Sequence, residues 1–196
     1  MPSHSPIILA SQSPRRRELL KRLVPEFEVQ AAAVDEVLVH EDGGPALALH
    51  NAQLKARFIA ELHPDSWIIG SDTVVECDGQ HLAKPESRHE AKHMLRTLSG
   101  RKHHVHTGVA LCCQSMAVED TAVVTSEVAF FQLDEQTLET YVATMHASHY
   151  AGGYAIQHLL GTLVSGFDGS FTNVVGLPVE RLEAMLRQRR LLPPPS

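Results

Sequence analysis

Cysteine is scarce in this chain, with three among 196 residues, and two of them, Cys112 and Cys113, are adjacent. An odd set without Cys-x-x-Cys spacing builds neither a disulfide framework nor a cysteine-based zinc site, and it suits a reducing compartment, the cytoplasm. Positive charge is in deficit, 17 Lys and Arg against 23 Asp and Glu for a net charge of -6. That balance argues against a protein that grips DNA or RNA through an overall positive field, so any bound anion must be met by a local cluster. Apolar runs are short, nowhere approaching the roughly 18 residues of a membrane span. The segment Met1 to Ala10 has no basic leader, and Ile7-Ile8-Leu9-Ala10 is too brief for a signal-peptide core. What remains is 43% apolar and 20% charged, ordinary for a globular chain that buries about 70% of its extended surface without metal or disulfide. We expect one domain of two closely packed lobes over residues 1–190, followed by a proline-rich, disordered tail at 191–196.

Periodicity gives the element order. Ile7 to Ala10 reads as a buried strand, and Ser13-Pro14 opens a helix that runs to Val24 with Leu19, Leu20 and Leu23 inward. A second strand is expected over Phe27 to Val34, and a helix carrying Lys55 from about Pro45 to Glu61. Strand residues Trp67-Ile68-Ile69 and Thr73-Val74-Val75 flank Asp72, and Asp78-Gly79 signals a hairpin. Ser87-Arg88-His89-Glu90 is a capping box, and Gly100 stops its helix. Strands over His103 to Cys113 and Ala122 to Gln132 follow, then a helix capped by Asp134. A strand near Thr162 to Ser165, a glycine-rich loop with Asn173 and a last helix opened by Pro178 complete the chain. Early alternation followed by hairpins predicts an α/β fold with a mixed central sheet and flanking helices.

Two places break local rules. Arg15-Arg16-Arg17 occupies the first turn of a helix, where each cation costs roughly 0.3 to 1 kcal/mol against the helix dipole. Together with the Ser11 and Ser13 hydroxyls and free backbone N–H groups, these arginines describe a phosphate cradle. A solvated basic turn neutralised by Glu18 is the competing reading, and both stay open. The second is Asp72 in an otherwise buried strand, costly unless a cation or a reacting proton uses it, though a lone Asp at a strand end commonly sits in solvent. Lys84 before Pro85 returns a positive charge toward the same end of the sheet. Oxygen ligands from Asp35, Glu36 and Asp72, with substrate phosphates and water, are what Mg²⁺ or Mn²⁺ takes.

The thirteen histidines do not form His-Glu-x-x-His, and His104 and His106 are expected on one solvated strand face. Cys112 and Cys113 read as small hydrophobes, Tyr154 and Trp67 as core, and Gly152-Gly153 as a tight turn. The basic residues from Arg15 to Arg22 wrap around a helix instead of forming a stripe, so no nucleic acid partner is expected.

These motifs combine. Leu9-Ala10-Ser11-Gln12-Ser13-Pro14-Arg15-Arg16-Arg17-Glu18-Leu19-Leu20 resembles the opening signature of the Maf family, nucleoside triphosphate pyrophosphatases once described as septum-formation inhibitors. The resemblance continues in order through Asp35-Glu36, Lys55-Ala56, Gly70-Ser71-Asp72-Thr73-Val74-Val75, Lys84-Pro85, Leu98-Ser99-Gly100, Thr107-Gly108-Val109, Ala151-Gly152-Gly153-Tyr154-Ala155-Ile156-Gln157 and Gly169 to Pro178. It implies an inosine triphosphatase-like fold with two lobes around a cleft, assembly as a homodimer, and hydrolysis of a nucleoside triphosphate to monophosphate and pyrophosphate with a divalent cation. It implies Asp72 as the catalytic base, with Glu36 and Asp72 on the metal and Ser11, Arg15, Arg16, Lys55, Thr73, Lys84 and Gln157 binding substrate. Gln157 resembles the subgroup acting on dTTP and UTP, whereas the branch acting on 7-methyl-GTP tends to carry an acidic residue there. A 7-methyl-GTP pyrophosphatase and a nucleotide-binding regulator of cell division with little hydrolysis are the alternatives. One stretch departs from the pattern: Met145 to Tyr150 replaces the Gly-Glu-Pro and lysine of many relatives.

Overall fold

The fold is built on one long strand flanked by unequal neighbours. In the computed structural model, which describes residues 6–144 and 150–192, β1 (Ile7–Leu9) leads into α1 (Pro14–Lys21), β2 (Glu28–Val29), α2 (Gly43–Leu62) and β3 (Trp67–Cys77). After β4 (Gln80–Leu82) and α3 (Arg88–Leu98) come the long strands β5 (Lys102–Cys113) and β6 (Val118–Phe130). The chain ends with α4 (Glu135–Thr144), β7 (Val164–Asp168), α5 (Phe171–Val175) and α6 (Val179–Gln188). The sheet order is β2-β1-β3-β5-β6-β7 with β4 also on β3. β1 is parallel to β2 and β3, and the other pairings between these strands are antiparallel. The mixed α/β sheet is therefore the one the alternation pattern predicts.

Alternation along β3 sorts its side chains onto two faces. Ile68 packs toward α2 with Ala56 and Ile59, whereas Trp67 and Ile69 join Leu19, Leu20, Leu182, Met185 and Leu186 from α1 and α6. Further along that second face, Val75 and Cys77 meet Leu95 and Leu98 of α3 and Leu138 and Tyr141 of α4. Two apolar clusters thus share one sheet face, and the residues between them are polar. Ser71, Thr107, Ser126 and Asn173 are all buried there. Asn173 on α5 closes the seam, donating from Nδ2 to the Ser126 Oγ at 2.8 Å and to the Val105 carbonyl at 3.0 Å, while its own carbonyl accepts from Thr107 Oγ1 at 3.0 Å. These bonds replace ones lost to water, which is what allows a polar belt inside a core, while Asn173 Oδ1 is left without a partner among the described residues.

On the opposite face α2 lies unusually close to the sheet. A Cβ added at Gly70 would fall 2.2 Å from the Ala52 carbonyl oxygen, and one at Gly108 2.3 Å from that of Ala48. Only glycine admits the helix at that distance. Asp42 at the head of α2 makes no side-chain cap, and Glu76 from β3 takes its place, accepting from the Gly44 N–H at 3.0 Å.

Several elements differ from expectation. The strand expected over Phe27 to Val34 shrinks to Glu28–Val29, since β1 is only three residues long and can pair no more. The loop around Asn173 contains α5, which Ser170 caps by accepting from the Asn173 N–H at 3.1 Å. Leu191 and Leu192 pack against the α1 and α6 cluster, whereas residues 193–196 fall outside the described residues. His106 is not on a solvated face: it is buried beside the head of α2, and its Nδ1 pairs with Thr125 Oγ1 at 2.8 Å.

His103 is buried in the larger cluster, its ring edge-on to Phe130 and Tyr154 and its Nε2 2.7 Å from the Tyr154 hydroxyl. Burial pushes its pKa from 6.5 down to about 4. The unfolded chain takes up this proton near pH 6.5 but the folded chain only near 4, so stability falls as pH drops through that window and levels off below it. The loss amounts to roughly 3 kcal/mol across the window. Thermal melts between pH 7 and 4 are expected to show this fall, and His103→Gln to flatten it; equal slopes in both proteins contradict the assignment.

Candidate active site

β3 has a gap along one edge. β1 pairs with it at Trp67, Ile68 and Ile69, and β4 only from Val75 onward, so Gly70 to Val74 have no strand neighbour on that side. The gap opens at the carboxyl end of β1, where the chain turns into α1. Open α/β sheets place ligands at such ends. Because consecutive side chains alternate, Asp72 faces α2 and Thr73 the opposite side, and the two sets of residues singled out in the sequence meet from both faces of this gap.

On the α2 side, Asp72 is 8% exposed. Lys55 reaches it from one helical turn past Asn51, with Nζ 2.7 Å from Asp72 Oδ1 and 2.9 Å from Glu36 Oε1. One ammonium is thereby shared by two carboxylates, the buried one from the sheet and the half-exposed one from the loop before α2. Asn51 completes the group, donating to Asp72 Oδ2 at 3.4 Å. Sequence reasoning missed Asn51; the available signal was a polar residue four positions before Lys55 on an otherwise apolar helix face of Leu47, Ala48, Ala52, Ala56 and Ile59.

On the other side, the three arginines have three different fates. Arg16 points inward: its Nε donates to the Gly176 carbonyl at 2.8 Å, its Nη2 to Thr73 Oγ1 at 3.0 Å and its Nη1 to Ser11 Oγ at 3.3 Å. Burial lowers its pKa, and the nearby Asp72 and Glu36 oppose that shift. Arg15 lies under the Tyr150 ring, Cζ 4.2 Å from the ring centre, and its buried Nε has no hydrogen-bond partner among the described residues. Arg17 is exposed. Ser13 caps α1 by accepting from the Arg16 N–H at 3.4 Å, and Ser11 Oγ accepts from the Ser13 N–H at 3.2 Å. No acidic residue occupies the first turn. A helix start with that charge favours an anion.

Lys84 and Gln157 are not drawn into either group. Lys84 is exposed after β4, where the neighbouring Ala83 carbonyl accepts from the Gly152 N–H at 3.1 Å. Gln157 is half-buried in the short turn Ile156–His158, its amide unengaged among the described residues. Asp35 is exposed. Of the departing stretch, 145–149 lie outside the described residues and only Tyr150 is placed.

Among the described residues no group of three or more His, Cys, Asp or Glu converges as a metal site by itself. Mg²⁺ and Mn²⁺ do not require one, since they are commonly held by one or two carboxylates with phosphate oxygens and water. Glu36 and Asp72 already share a cation in Lys55, and their hard oxygens fit such an ion. The three cysteines are free and buried, and burial lifts the Cys112 thiol to about 12, which makes it a poor ligand.

A comparison with solved structures finds the same architecture in a HAM1 protein from Coxiella burnetii, at a TM-score of 0.54 and 17% identity over 94% of this chain and 99% of that one. The Ham1 protein of Staphylococcus aureus gives 0.51 and 15% over 94% and 100%. At those identities the likeness concerns the fold. Curated relatives are nearer. A dTTP/UTP pyrophosphatase from Pelotomaculum thermopropionicum is 43% identical over 93% of this chain and 95% of its own length. Proteins of the same name from Akkermansia muciniphila and Myxococcus xanthus are each 42% identical, over 89% and 94% of this chain and 91% and 93% of theirs. The profile described as Maf-like protein matches residues 6–189, and with it the chain belongs to the Maf family.

Proposed function

We propose that this protein is a nucleoside triphosphate pyrophosphatase that hydrolyses dTTP and UTP to the monophosphate and pyrophosphate. The observation that carries the reading is the buried Asp72 carboxylate, held by Lys55 beside Glu36 at the β3 gap, with the basic start of α1 on the other side. A protein that merely bound nucleotides would have no use for a buried carboxylate at the reaction centre.

In this reading the triphosphate lies along the gap, its charge met by Arg15, Arg16, Ser11 and the N–H groups of α1 on one side and by Lys55 on the other. Lys84 reaches the same phosphates from the segment after β4. Asp72 accepts a proton from a water molecule as that water's oxygen bonds to the α phosphorus, and the bond from this phosphorus to the bridging oxygen breaks, releasing pyrophosphate. Such chemistry needs in-line positioning and charge stabilisation more than covalent help. Glu36 and Asp72 would hold a divalent cation, Mg²⁺ or Mn²⁺, which when bound supplies further neutralisation of the phosphate charge. Thr73 is fixed by Arg16 and by Thr107 Oγ1 at 3.0 Å, and keeps Arg16 in place. The free thiols suit the cytoplasm as the place of action, and no helix among the described residues is long and apolar enough to cross a membrane. Assembly as a homodimer belongs to the same reading.

Gln157 sets the base preference. Its neutral amide offers both a donor and an acceptor to the O4 and N3–H edge of uracil or thymine. An acidic residue there suits a cationic base such as 7-methylguanine. Steady-state kinetics on the four ribonucleotides, dTTP and 7-methyl-GTP with Mg²⁺ are expected to show dTTP and UTP cleaved fastest. Gln157→Glu is expected to lower kcat/KM for both pyrimidines by about one to two decades, the range for a mismatched buried polar pair. Faster cleavage of 7-methyl-GTP by the unmodified protein contradicts the base assignment, and nucleotide binding without pyrophosphate release contradicts the enzyme itself.

A further inference from the structure

Between Val29 and Gly43 the chain contains neither helix nor strand, yet this is the stretch that delivers Glu36 to Lys55. Leu38 and Val39 in it are more than 70% exposed, at 76% and 73%, so this part of the loop is not anchored by burial. Next to them the Val37 side chain tucks in, against Leu47, Ala48 and Val74. What replaces a strand partner is one side chain. Asn51 Oδ1 accepts from the Val37 N–H at 2.9 Å, and Asn51 Nδ2 donates to the Val37 carbonyl at 2.9 Å and to Asp72 Oδ2 at 3.4 Å.

The reciprocal pair copies what a neighbouring strand would offer, and it also fixes the amide's orientation. Turned over, the side chain would set its NH₂ against an N–H and its oxygen against a carboxylate. Asparagine inside a helix is a weaker choice than alanine or leucine, and here it is 3% exposed among apolar neighbours. Its contacts explain its presence: they connect the residue after Glu36 with the second oxygen of Asp72.

We propose that Asn51 is a positioning residue that fixes the Glu36 loop against Asp72, so that both carboxylates are presented together to a divalent cation. The inference rests on reading Glu36 and Asp72 as cation ligands. Asn51 itself touches neither the cation nor the substrate. It acts as the outer partners of metal ligands do, by removing the freedom of groups that must converge.

The test measures binding of Mn²⁺ alone, by the loss of the free-ion electron paramagnetic resonance signal up to millimolar concentration. Asn51→Leu preserves volume and deletes all three bonds, and its dissociation constant is expected to rise by about 10- to 100-fold, the range for outer-shell partners. Asn51→Ser, which leaves room for water, guards against a failure of the leucine variant to fold and is expected to change in the same direction. Thermal unfolding confirms that the variants tested are folded. A purely structural role would cost the same fold-change in any background, whereas positioning predicts that in a Glu36→Ala background Asn51→Leu adds less than about threefold, because the ligand it positions is gone. Mn²⁺ affinity within about threefold of the unmodified protein in both folded variants overturns the proposal, as does the absence of Mn²⁺ binding by the unmodified protein. A protein that binds Mn²⁺ with this dependence but releases no pyrophosphate sinks the enzymatic reading and leaves the positioning role standing.

Discussion

Asp72→Asn is expected to lower the rate of pyrophosphate release by roughly two to four orders of magnitude, the range for a lost general base. Asparagine keeps the shape, and its amide oxygen can still accept from Lys55 at the position Oδ1 holds now. What disappears is the negative charge that takes a proton from water and helps draw a cation to Glu36. Because Asp72 is buried and shares Lys55 with Glu36, the substitution leaves one carboxylate for one ammonium and should not unfold the protein. Pyrophosphate assays at saturating Mg²⁺, with circular dichroism as the folding check, decide it. A variant within a few-fold of the unmodified rate would remove Asp72 from the chemistry.

Lys55→Met is expected to cost both activity and stability, and the two losses can be separated. The ammonium is nearly as buried as the carboxylate it meets, and removing one member of a buried ion pair leaves the other charged and unpaired, at a cost of about 3 kcal/mol. The remaining Glu36 and Asp72 then repel each other across the gap. Loss of a preorganised positive charge at the phosphates should lower turnover by about two to three orders of magnitude. Adding Asp72→Asn removes the stranded charge. The double variant is therefore expected to recover most of the lost stability in a urea titration while remaining inactive. If it unfolds as readily as Lys55→Met alone, the pair is not the source of the instability.

How far the sequence revealed this site depends on which physical rule each residue obeys. Asp72 was legible because it breaks the pattern of a buried strand, and a buried charge calls for a partner, whereas Lys55 was reached only through the family resemblance. The helix over Arg88 to Leu98 was legible from its cap, and Ser87 Oγ does accept from the Glu90 N–H at 3.1 Å. The arginine run was less so. Three adjacent cations read as one patch, but about 100° of helical rotation per residue sends Arg16 inward and leaves Arg17 in solvent. Asp72 and Thr73 are likewise neighbours in sequence and on opposite faces of the sheet. His106 was misread because the strand pattern cannot show that the head of α2 covers that face. Asn51 and the Asn173 seam depend on partners far along the chain, Val37 and Val105 among them, that no local rule connects.

Hydrolysis of UTP in ¹⁸O-labelled water with Mg²⁺, followed by mass spectrometry of both products, tests the central claim most directly. Attack by water activated at Asp72 on the α phosphorus puts the heavy oxygen into the monophosphate and leaves pyrophosphate unlabelled. Label in pyrophosphate, or release of orthophosphate in place of pyrophosphate, would contradict the account.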